Sequence, residues 1–69
     1  MNAFPDIIAN NHGSIWLLHG ATEDGKQWLA DHVSFEQYFG NAGVVEWRYV
    51  QDIVNGAIED GLIVKGRQP

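Results

Sequence analysis

The sequence predicts a small α+β domain of order β-β-α-β-α-β, in which a mainly antiparallel sheet carries two helices on one face. Three observations lead there. Two β-like runs flank a glycine-containing turn near the N-terminus, two later stretches repeat apolar residues at helical spacing, and short Val, Ile and Leu runs follow Gly43 and Gly61. The expected boundaries are a hairpin at 6–19, a helix at 22–33, a strand at 44–46, a helix at 47–60 and a strand at 62–65, within one domain spanning 1–69.

The first five residues read as a lead-in, with Phe4 folding back on the core. Asn11-His12-Gly13 joins the hairpin arms, because glycine with asparagine nearby permits the positive φ of a tight turn. In the second arm Ile15 and Leu17 share one face and Trp16 and Leu18 the other. Both faces are therefore apolar, and one is expected to meet a partner or the chain's own flanks.

Thr22 is placed to cap the first helix, with Glu23 and Asp24 at the favourable end of its dipole. Trp28, Leu29, His32 and Val33 point to the core, and Glu23, Asp24, Gln27 and Asp31 point away. Gly25 is expected to weaken the first turn by up to about 1 kcal/mol relative to Ala. The segment 34–43 has two readings: a helical turn opened by Ser34 and Gln37, or an irregular strand through Phe35, Tyr38 and Phe39.

The stretch 44–64 organises the rest. Tyr49, Val50, Ile53, Val54, Ala57 and Ile58 form one apolar arc at 100° per residue, opposite Arg48, Gln51, Asp52, Asn55 and Glu59. Gly61 supplies a left-handed helix end, and Leu62, Ile63 and Val64 resume as a strand. Glu59 and Asp60 in the last turn and Arg48 in the first all oppose the macrodipole, which makes them candidates for functional surface. The tail from Lys65 to Pro69 reads as polar and loose.

A chain of 69 residues buries only about 60% of its unfolded surface, so its core must be dense, and self-association into a homodimer would supplement it. Three Trp, three Phe and two Tyr supply the material. There is no cysteine, which removes disulfides and thiolate metal sites. With no leader-like N-terminus and no apolar run long enough to span a bilayer, the expectation is a cytoplasmic protein without membrane contact. Nine acidic residues against four basic give a net charge of −5, which disfavours direct nucleic-acid binding and favours a basic partner.

The motifs of catalysis are missing. His12, His19 and His32 match neither HExxH nor a zinc-finger spacing, so no metal is expected. Ser14 and Ser34 stand in no nucleophile elbow, and the glycines form no phosphate-binding loop. The expected class is a non-enzymatic binding protein without cofactors. Its acidic residues offer one surface: Glu23, Asp24 and Asp31 on one helix with Asp52, Glu59 and Asp60 on the other would present a negative strip to a cationic groove, with Glu36 and Glu46 between them. Its aromatics offer another, since Trp16, Phe35, Tyr38 and Trp47 exceed what so small a core requires. Trp47, on the shoulder of the apolar arc, is the aromatic most expected to be partly exposed.

The elements Asn11-His12-Gly13-Ser14-Ile15, Trp28-Leu29, Val44-Val45-Glu46, Arg48-Tyr49-Val50, Asp52-Ile53-Val54 and Asp60-Gly61-Leu62 together span most of the chain. On these, the sequence resembles a group of small proteins encoded by phages, prophages and other mobile elements. The resemblance carries no catalytic motif. It implies a context in which small acidic proteins inhibit host defence, anti-CRISPR proteins included, some by imitating the charge of DNA. The expected partner is then a basic host protein or CRISPR effector subunit, met by Glu23, Asp24, Asp31, Asp52, Glu59, Asp60 and Trp47. Lys26 and Arg48 interrupt the strip. The alternative is a self-associating structural or regulatory module that docks through Trp16 and Trp47.

Overall fold

The computed structural model describes residues 4–67. Their order is β1 (Ile7–His12), β2 (Ile15–Gly20), α1 (Glu23–His32), β3 (Tyr38–Phe39), β4 (Ala42–Glu46), α2 (Trp47–Glu59) and β5 (Val64–Arg67). The strands form one sheet in the order β3-β4-β2-β1-β5, antiparallel throughout except for the β1–β5 pair. The fold is thus α+β, as the patterning indicates, with one strand more than the sequence reading placed.

Gly13 and Ser14 alone connect β1 to β2, since His12 pairs with Ile15, and Gly13 carries a φ of 85° while its N–H donates to Asn11 Oδ1. The segment between α1 and β4 resolves in favour of extended chain. Tyr38 and Phe39 pair with Gly43 and Ala42, and Phe35 turns inward so that its ring lies where a side chain at Gly43 would stand. Gly43, which precedes the strand expected at 44–46, is therefore itself a buried strand position.

Strand registration assigns each residue to a face. Ile7, Ala9, Leu18, Gly20, Gly43 and Val45 point to the side on which both helices lie, and all six are buried. With Trp28 and Leu29 of α1 and Val50 and Ala57 of α2, the larger of them form the core. Full burial stabilises by roughly 1.5–3 kcal/mol for each large side chain before chain entropy is set against it.

The apolar arc of α2 is narrower than its sequence suggests. Ala57 and Val50 lie at its middle, with Ile53 and Val54 beside them, and the sheet reaches no further. Tyr49 and Ile58 fall about 90° to either side at the helical angle, and each remains 54% exposed. Phe4 also departs from expectation: at 82% exposed it does not fold back on the core.

The end of α2 follows the left-handed cap expected of Gly61, whose φ is 90°. Gly61 N–H donates to Ile58 C=O and Leu62 N–H to Ala57 C=O, the paired bonds of a Schellman cap. Because Leu62 belongs to that cap, β5 begins at Val64, two residues later than the sequence reading. Lys65 to Arg67, expected as loose tail, are strand residues; Gln68 and Pro69 lie outside the described residues.

Asp6 ties three segments together. Its Oδ1 accepts from the Thr22 hydroxyl at 2.7 Å and its Oδ2 from the Ile63 N–H at 2.9 Å. Its backbone N–H donates to Ile63 C=O, and its C=O accepts from Ala21 N–H. Thr22 Oγ1 in turn caps α1 by accepting from Gly25 N–H at 3.0 Å. Gly25 is buried against this junction, where a β-carbon would overlap the Asp6 carbonyl oxygen. Its glycine reflects close approach, not the weak first turn that helix propensity alone implies.

Candidate interaction surfaces

Three surfaces follow from this arrangement. The first is the outer side of the helical layer. The helices meet where the Trp28 ring lies against Gly56, and Trp28 Nε1–H donates to Asp60 Oδ2 at 2.7 Å. Their solvent faces thus belong to one side of the molecule. Glu23, Asp24 and Asp31 on α1 and Asp52 and Glu59 on α2 are all exposed there.

The expected strip is not uniform. Asp60 turns toward α1: besides the indole bond, its Oδ2 lies 3.7 Å from His32 Nε2, while His32 stacks on Trp28 and its Nδ1–H donates to Trp28 C=O. Asp60 is therefore a clasp between helices, and its place beyond the last turn of α2 has a structural reason. Glu23 lies 3.7 Å from Lys26, a pair too exposed to hold firmly. Arg48 lies 3.4 Å from Glu46, so the cation at the start of α2 has a local counter-charge. Asp31 accepts a hydrogen bond from Gln27 Nε2–H at 2.9 Å. Asp24, Asp52 and Glu59 make no side-chain hydrogen bond or ion pair among the described residues.

The second surface is aromatic. Trp47 is 61% exposed at the start of α2, as its position on the arc implies, with Arg48 next to it on the groove, while Tyr49 lies on the other side of the helix. Trp16 is half-buried in the core margin, and a half-open groove of about 470 Å³ runs between it, Trp47, Val50, Val54, Val64 and Gly66. The groove floor is low because the paired strand positions Ala9 and Gly66 are small. Tyr38 and Phe39 are exposed at the far edge of the sheet. Phe35 belongs with the core, which removes it from the candidate surface.

The third surface is the sheet face turned away from the helices. Ile8, Ile15, Leu17, His19 and Val44 lie on it by registration; none is buried, and none joins the core cluster. The double-sided apolar pattern of Ile15 to Leu18 signals this face in the sequence. His12 and His19 stand on it, whereas His32 is in the helical layer, so the three histidines do not converge. Among the described residues no group of three His, Asp or Glu side chains is placed to hold a metal ion. No described helix is long and apolar enough to cross a membrane.

The class these features define is a two-layer α+β domain in which one sheet face is covered by no described element. No family model, curated protein or solved structure matches the chain.

Proposed function

We propose that this protein is a non-enzymatic inhibitor that binds a basic, nucleic-acid-binding partner through the acidic side of its helical layer. The observation that carries the reading is the placement of Asp24, Asp31, Asp52 and Glu59 on the exposed side of two adjacent helices. With the local cations Lys26 and Arg48 facing Glu23 and Glu46, these four carboxylates remain available to Lys and Arg of a partner. Asp60 contributes field rather than contact, being held by Trp28. The resemblance to mobile-element proteins supplies the context of a host nucleoprotein such as a CRISPR effector, in the host cytoplasm.

A second reading is favoured by the exposure of Trp47 beside the apolar groove. There the protein is a regulatory interaction module anchored by an aromatic side chain, and charge matters little.

A tagged pull-down from a defence-competent bacterial lysate separates the two. Capture of a nucleic-acid-binding protein at low salt, with release at high salt and displacement by added DNA, is the result expected of the acidic layer. A partner that resists salt and DNA but is lost on Trp47→Ala contradicts it and supports the aromatic module.

A further inference from the structure

We propose that the uncovered face of the sheet is the interface of a homodimer whose two-fold axis runs along β2. This does not rest on the basic-partner reading. In such a dimer the sheets are innermost and both helical layers remain outermost.

The argument begins with the registration. β2 is the central strand of five, and rows of residues cross it. One row runs His12, Ile15, Glu46; the next runs Asn10, Leu17, Val44. An axis along β2, lying between two stacked faces, places each row over its own copy with the ends exchanged. Leu17 then meets Leu17 and Ile15 meets Ile15 at the centre. His12, an N–H donor in either charge state, comes over Glu46 of the second copy. Lys65, in the row of Ile8 and His19, comes over the Ala42 end of β4 beside Phe39, two rows away from Glu46. His12 and Lys65 lie on one side of β2 and Glu46, which also lies 3.4 Å from Arg48, on the other, while His19 lies on β2 itself and meets its own copy. The reciprocal His12–Glu46 pair is what makes the face its own complement about β2, as an isologous interface requires.

The physical need for such a cover is specific. Ile8, Leu17 and Val44 form an apolar centre with no described element over it, and two stacked sheets about 10 Å apart would close it. Strands spaced about 4.8 Å and rising about 3.3 Å per residue give a face of roughly 20 by 20 Å. Two such faces bury roughly 800 Å² of projected area, below the usual range of specific interfaces, so a weak dimer is expected, dissociating at roughly tens to hundreds of micromolar.

Sedimentation equilibrium of the full chain from roughly 10 to 500 µM, a range chosen to bracket that dissociation, provides the test. The expected mass rises from 7.7 kDa toward twice that value. Leu17→Lys, which sets a charge against its own copy at the dry centre, should weaken the dimer by about 100-fold or more with an unchanged circular dichroism spectrum. Asp52→Lys on the helical layer and Trp47→Ala beside the groove should leave the dimer intact. Should Leu17→Lys unfold, His12→Glu replaces it: a carboxylate over Glu46 should weaken association roughly tenfold, and adding Glu46→Lys should restore it. A wild-type mass that stays at 7.7 kDa, a Leu17→Lys or His12→Glu protein that dimerises as the wild type does, or a dimer lost on Trp47→Ala would each overturn the proposal.

Discussion

Asp6 is the residue on which three segments distant in sequence depend, and its chemistry gives a pH prediction. The Ile63 N–H, and after it the Thr22 hydroxyl, hold the Asp6 carboxyl below its ordinary range, against a smaller opposing effect of burial. A carboxyl with a depressed folded-state pKa contributes stability that is fully present above the unfolded value near about 3.9 and is lost as pH falls through the lower folded value. Thermal melts should therefore show stability falling below about pH 4, and Asp6→Asn should flatten that acid limb while lowering the melting temperature at neutral pH. An acid limb as steep in Asp6→Asn as in wild type would assign the dependence to other carboxylates. At the helix contact, Trp28→Phe keeps an aromatic ring but loses part of the buried indole and deprives Asp60 of its donor. The expected cost is roughly 2–4 kcal/mol by chemical denaturation, with His32 unable to replace the bond at its 3.7 Å separation.

At the scale of elements, what the sequence reveals and what it hides have separate physical causes. Local rules carry most of the fold: the Thr22 cap, the Gly61 helix end and the hairpin all depend on residues within a few positions of one another. What local rules omit is contact between distant segments. Gly25 reads as a weakness in α1 until the Asp6 carbonyl is seen against it, and Tyr49 and Ile58 read as core until the breadth of the sheet beneath α2 is known. The candidate acidic residues were likewise legible as exposed helix positions. Asp60 was not, because its partner Trp28 lies 32 residues away.

Two glycines make this distinction measurable. Gly25→Ala gains up to about 1 kcal/mol of helix propensity in isolation, but overlap with a backbone oxygen should cost roughly 1–3 kcal/mol, leaving a net loss of stability. Gly61→Ala holds a β-carbon at positive φ and should cost about 1–2 kcal/mol with nothing else disturbed, since no atom lies within 4 Å of the added carbon. A Gly25→Ala protein more stable than wild type would show that the junction yields more easily than the geometry implies.

Across the whole molecule the layers differ in kind. The helical side carries most of the carboxylates, and the sheet side presents an apolar centre with Lys65, His12 and Glu46 toward its edges. A dimer joined through its sheets would carry an acidic layer on each outer side, so a partner with two basic grooves would be engaged at both. The acidic layer and the sheet face are separable by mutation, because the residues of one do not line the other.

The most direct measurement of the central claim is the affinity for the captured basic partner of wild type and of the variant Asp24→Lys/Asp31→Lys/Asp52→Lys/Glu59→Lys, taken at one low salt concentration with the fold of each checked by near-ultraviolet circular dichroism. The account predicts at least about tenfold weaker binding by the variant, a difference that shrinks as salt is raised. Equal affinity, with both proteins folded, would contradict it.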